Sequence, residues 1–236
     1  ALQDWQAKGG SGKAKVAFFY NDSPFGKSPL PAGNEFAAAN GMEVLEVAMP
    51  RGATDLTPQL SQVQAFSANY IIIQNTSGPG SLAAKNAKGL GLNAQIICLN
   101  WCADENLIKL AGDAAEGVVG TIPFAPPGTG VAGVKDIVDY TKSKSINLEE
   151  KGLHYVQGWW TMAVMAEGIK RVLDSNKPIT GENLKAALET ISNFETGGVT
   201  SPLTFTATDH AGNKALRLYQ VKAGKWESIS DFIGAK

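Results

Sequence analysis

The residues of this chain that are able to do chemistry gather in short polar segments that follow apolar runs. "YIIIQNTSGPGS" (residues 70–81) passes from an apolar run into Asn75, Thr76 and Ser77, and a helix of small residues follows at once. A turn between strand and helix can hold an anion at the helix N-terminus. Pro79 removes one backbone donor and no Lys follows, so the pattern of a nucleotide-phosphate loop is incomplete. "IICLNWC" places Asn100 and Trp101 in a comparable position, and "FFYNDSPFG" places Phe25. The two rings offer flat apolar walls. The amides and hydroxyls beside them can orient a small, partly apolar ligand.

Catalytic chemistry finds less support. "GGSGKA" (residues 9–14) precedes a strand, and Ala14 stands where a phosphate loop needs Ser or Thr. There is no G-x-S-x-G elbow. His154 and His210 are the only histidines, and neither has acidic or Cys neighbours at metal-ligand spacing. Cys98 and Cys102, in "CLNWC", match neither the C-x-x-C redox spacing nor a zinc pattern. An extended "CLNW" would hold them beyond disulfide reach, so they read as free thiols, with a tight turn that bridges them as the alternative. Trp159 and Trp160 diverge by about 100° on a helix and read as core packing.

Composition narrows the partners. The chain has 236 residues, 44% hydrophobic and 18% charged, with net charge −1. That suits one large globular domain or two small ones. Neither nucleic acid nor an anionic membrane has a basic patch to bind. No apolar run approaches the ~20 residues of a membrane helix. The polar opening "ALQDWQAKGG" reads as the end of a helix rather than a signal peptide, as expected of a mature fragment.

The elements that must position these residues alternate strand and helix up to residue 124. Strands are expected at "KVAFFY", "MEVLEVAMP", "YIIIQN", "AQIICL" and "GVVGTIPF". The second alternates apolar and polar residues, as a half-exposed edge strand does. The continuous apolar runs predict an α/β fold, with a parallel, doubly wound sheet flanked by helices. Ligands gather beyond the carboxyl ends of such strands, which points to the loops 21–28, 75–80, 100–104 and 123–128. After "APPGTG" come helices at 131–144, 153–173 and 181–191, two strands around "DHAG", and a last strand in "GKWESISDF". The helix 153–173 is too widely apolar to lie on one neighbour.

"KVAFFYNDSPFGKS", the run from "DLTPQL" to "IICLN", "AAEGVVGTIPF" and "NFETGGVTSPLTFTATDHAGNKALRLYQVKAGKW" together resemble periplasmic binding proteins of type I. The likeness is to the branched-chain amino-acid family of ABC-transporter solute receptors and covers essentially the whole chain. The resemblance begins partway into that family. It implies a carboxyl-terminal lobe at residues 1–123, helices and a strand of an incomplete amino-terminal lobe at 124–214, and closing strands at 215–236. The apolar helix is then expected to be covered by an upstream segment, by self-association with a second copy, or by a rearrangement of residues 125–215.

The resemblance also implies a function: capture of a small carboxylate, amide or amino-acid-like ligand in an interlobe cleft, docking on an ABC permease, and a periplasmic location. No cofactor, metal or catalysis is expected. The alternatives are a ligand-sensing regulatory domain of the same fold and a flavodoxin-like enzyme. By position, Phe25, Asn75, Thr76, Ser77, Asn100, Trp101 and Tyr155 are the ligand-binding candidates, led by Thr76; Ser77 and His154 read better as turn or packing residues. Receptors of this family hold an ammonium with a carboxylate where this chain has the neutral Asn100. Asp104 looks committed as a helix N-cap. The expected ligand therefore lacks an α-ammonium, as an aromatic acid does, in preference to leucine, isoleucine or valine.

Overall fold

The computed structural model describes residues 1–234. After α1 (Leu2–Ala7) the chain forms β1 (Lys15–Asn21), α2 (Pro24–Lys27), α3 (Leu30–Ala39), β2 (Glu43–Met49), α4 (Thr57–Phe66), β3 (Tyr70–Gln74), α5 (Ser77–Gly89), β4 (Gln95–Cys98), α6 (Glu105–Ala111) and β5 (Val119–Ile122). There follow α7 (Ala132–Ser143), α8 (Leu148–Lys151), α9 (Leu153–Asp174), α10 (Gly181–Leu188), β6 (Ala215–Lys222), β7 (Lys225–Ser228) and β8 (Ile233–Gly234).

The strand order is β2-β1-β3-β4-β5-β6-β7, with β8 paired to β6. The first five strands are parallel, in registers such as Phe19↔Val47, Phe19↔Ile73 and Ile73↔Cys98. β2 lies at the edge, as its alternating sequence predicts. From β1 the chain moves one way to β2, then back across to β3, β4 and β5. With right-handed crossovers this reversal sends α3 to one face and α4, α5 and α6 to the other. Gly33 of α3 accordingly lies against the Phe18 ring, where a Cβ would collide. Leu60 and Val63 of α4 and Ala83, Ala84 and Ala87 of α5 are buried, and so are Phe19, Ile71 and Ile73 of the sheet. Burying each of the leucine, valine, isoleucine and phenylalanine side chains among them stabilises the unit by roughly 1.5–3 kcal/mol. The reversal also creates a switch point between β1 and β3, where doubly wound sheets open a crevice at the carboxyl ends of the strands.

The chain separates into two compact units. One comprises Ala1–Thr121 with Tyr219–Ser228; the other comprises Ile122–Leu218 with the segment from Ile229. The second unit has its own core of Val134, Ile137, Leu148, Val156 and Val199, against which Tyr155, Trp159 and Trp160 pack. Trp160 Nε1 donates to the Gly133 carbonyl at 3.2 Å, so both tryptophans serve packing as their spacing suggests. Along α9, Val156 and Val172 are buried while Met162 is 63% exposed. No helix among the described residues is long and apolar enough to cross a membrane.

Two sequence expectations fail. The hairpin around "DHAG" has only its second strand, β6. Leu203 instead exchanges backbone bonds with Phe194, and Phe205 N–H donates to the Ile191 carbonyl at 2.9 Å. The first half of the expected hairpin is thereby tied to the segment after α10. The second failure concerns the cysteines. Cys98 and Cys102 form a disulfide, with Cα atoms 5.1 Å apart. "CLNW" is not extended: Cys102 N–H donates to the Leu99 carbonyl at 2.9 Å and Ala103 N–H to that of Asn100 at 3.2 Å. These turns double the chain back and bring the sulfurs together.

Candidate functional site

The loop after β1 is shaped by Gly26. A Cβ there would overlap the Asn21 backbone, so the Phe-Gly pair lets the chain fold tightly while Phe25 projects at 38% exposure. Ser23 caps α2 by accepting from Gly26 N–H at 3.2 Å. Gln74 at the end of β3 donates to the Phe25 carbonyl at 3.2 Å and ties the two loops together.

The loop after β3 is held from inside. Asn75 is buried; its Oδ1 accepts from Thr76 N–H at 2.8 Å and its Nδ2 reaches Met49 Sδ at 3.3 Å. A thioether is a weak acceptor, so the amide keeps donor capacity. Thr76 stands at the N-cap of α5 in extended conformation, but no side chain caps the helix. Amides of the first turn have no intrahelical partner, and the helix dipole makes this end favourable to negative charge.

These loops enclose a pocket of about 450 Å³ at the carboxyl ends of β1, β2 and β3. Its wall includes Phe25, Asn75 and Thr76, so three of the seven candidates meet in one cavity. It also includes Met49, Arg51 and Leu56, from the end of β2 and the segment after it, which the sequence analysis passed over. The signal was available: the rule that selects strand ends applies to β2 as to its neighbours, but its edge position drew attention away.

Ser77, Asn100 and Trp101 do not line this pocket. Ser77 is the first residue of α5. Asn100 and Trp101 sit between the bridged cysteines at the end of β4, with Trp101 48% exposed. The disulfide joins their loop to the neighbouring one, because Gly80 of α5 rests directly on Cys102 Sγ. Asp104 caps α6 as its sequence suggests, accepting from Asn106 N–H at 2.9 Å and Leu107 N–H at 3.1 Å. Tyr155 belongs to the second unit, where it lines a groove with Tyr140, Trp159 and Met162. His154 Nδ1 lies 3.1 Å from Gln157 Oε1. Among the described residues no three His, Cys, Asp or Glu side chains are grouped to hold a metal.

Comparison with known proteins bears on the family and the fold. A family model described as periplasmic binding protein matches residues 2–225. A leucine-, isoleucine-, valine-, threonine- and alanine-binding protein of Pseudomonas aeruginosa is 24% identical over 138 residues, covering 57% of this chain and 35% of that protein. The crystal structure of a branched-chain amino-acid ABC transporter protein from Thermus thermophilus with bound valine superposes with a TM-score of 0.88 at 25% identity; it covers 99% of this chain and 64% of that one. An ABC-transporter substrate-binding protein from Aeropyrum pernix gives 0.84 at 23%, covering 99% and 63%. The chain thus spans less than two thirds of the length of these relatives. By the match over nearly its whole length, this chain belongs to the periplasmic binding protein family.

Proposed function

We propose that the protein is the solute-binding component of an ABC importer, working outside the cytoplasmic membrane and delivering a small ligand to a membrane permease. The observation that carries this reading is the coincidence of a family match over residues 2–225 with a pocket at the strand ends that gathers Phe25, Asn75 and Thr76. The ligand is a small carboxylate, amide or amino-acid-like molecule. Phe25 supplies an apolar wall. Thr76 supplies a hydroxyl and Asn75 a buried amide that also fixes the loop. Ser77, Asn100 and Trp101, on neighbouring loops of the same unit, and Tyr155, in the second unit, are the remaining candidate contacts. Binding is the whole chemical event: the pocket presents amides, a hydroxyl and a guanidinium, without a nucleophile paired to a base.

Native mass spectrometry of the full-length gene product, purified without refolding, tests the proposal. The expected result is one small molecule released per receptor, unchanged in mass after prolonged incubation. Conversion of that molecule to a product would replace the receptor reading with an enzymatic one.

A further inference from the structure

Arg51 lies in the turn after β2 and lines the same pocket as Phe25, Asn75 and Thr76. It is exposed, and among the described residues it has no ion pair. Acids on the loops after β1 and β2 have partners of their own. Asp22 pairs with Lys27 at 2.6 Å. Asp55 accepts from the Thr57 amide at 2.9 Å and its hydroxyl at 2.6 Å, and this hydroxyl bond, followed by the amide's, holds its carboxyl below the usual range. No Asp, Glu, Lys or His lines the cavity, so its ionic character comes from one guanidinium. The rest of the wall is largely apolar, through Phe25, Met49, Pro50, Leu56, Pro79 and Leu82.

A lone cation at the rim of an apolar pocket of about 450 Å³ complements a molecule with one negative charge and an apolar body. A guanidinium matches a carboxylate by donating two parallel N–H bonds. An ammonium group placed in the same cavity meets Arg51 and finds no carboxylate among the lining residues. From this we infer that Arg51 is the charge partner of a ligand carboxylate and the residue that sets specificity for carboxylates over their amides. The inference rests on the receptor reading above and adds the ligand's charge and the residue that recognises it.

The test is isothermal titration calorimetry on the full-length protein, freed of co-purified ligand, with benzoate, benzamide, 4-methylpentanoate, 4-methylpentanamide and leucine as probes. One carboxylate is expected to bind about tenfold or more tightly than its amide, as a charge-assisted bond implies. R51Q should weaken carboxylate binding and so abolish that difference without moving the unfolding midpoint, and R51K should restore part of it. Equal binding of acid and amide, or an R51Q variant that keeps the preference, overturns the assignment. Saturable binding of leucine that R51Q leaves unaffected, with no binding of benzoate or 4-methylpentanoate, also overturns it, but leaves solute capture standing. No saturable binding by any probe removes the carboxylate assignment, and mass spectrometry of co-purified molecules then decides separately whether the protein captures another solute.

Discussion

Reduction of the Cys98–Cys102 bond perturbs the β4 loop without changing any residue. The bridge closes a loop of sequence separation 4. For so short a loop, the chain-entropy relation gives about 2 kcal/mol at 25 °C, which is about 30-fold in the unfolding equilibrium. Both sulfurs are fully buried and Gly80 packs on one of them, so the bond is reached only when the loop opens. Protein unfolded in denaturant with a phosphine reductant and refolded in its presence should therefore be less stable than the oxidised form. In thermal unfolding the difference is worth about 4–8 °C in Tm for a unit of this size. Tryptophan fluorescence during denaturant unfolding reads it, with C98A/C102A as a variant that cannot reoxidise. Oxidised and reduced proteins that unfold within about 0.5 kcal/mol of each other would show that the turns at Leu99 and Asn100 hold the loop unaided, and the entropic account would be wrong.

Three further outcomes follow from packing and electrostatics. Gly80→Ala places a methyl on Cys102 Sγ and should cost about 1–3 kcal/mol in denaturant unfolding; a neutral result would mean that α5 shifts freely. Ile73→Ala, at a fully buried position in β3, should cost about 2–5 kcal/mol by the same assay, and a cost below about 1 kcal/mol would contradict the central placement of that strand. Asp4 is held below the usual carboxylate range by its bond to Lys8 and then by the Tyr70 hydroxyl, which donates at 2.7 Å. A depressed carboxylate stabilises above its unfolded pKa of about 3.9, and that contribution is lost as pH falls through the lower folded value. The stability gap between wild type and Tyr70→Phe, roughly 1 kcal/mol at neutral pH, should shrink below about pH 4; a gap independent of pH would mean that the hydroxyl does not serve Asp4.

The succession of the first five strands, the edge position of β2 and the Asp104 cap were legible because each depends on local pattern. Apolar continuity marks a central strand, alternation marks an edge, and Asp before a short apolar helix marks a cap. The disulfide was not legible, because it depends on whether four residues extend or turn, and "CLNW" carries no Gly or Pro to announce the turn. The segment before "DHAG" read as the first strand of a hairpin, but the backbone groups of Leu203 and Phe205 found partners at Phe194 and Ile191. Tertiary pairing overrode local preference there. In the site, loop position sufficed to select Phe25, Asn75 and Thr76. It missed Arg51, which lines the same pocket from the segment after β2.

The central claim is that this chain captures a small molecule at the carboxyl ends of β1, β2 and β3. Amide chemical-shift mapping tests it most directly, on the full-length protein titrated with the molecule that co-purifies with it. The account predicts saturable shifts that include Phe25, Arg51, Asn75 and Thr76, with Asn100 and Trp101 following and the residues around Trp5 and Lys88, at the opposite end of the strands, unmoved. Shifts centred on Trp5 and Lys88, with the Phe25 and Thr76 loops unchanged, would contradict it.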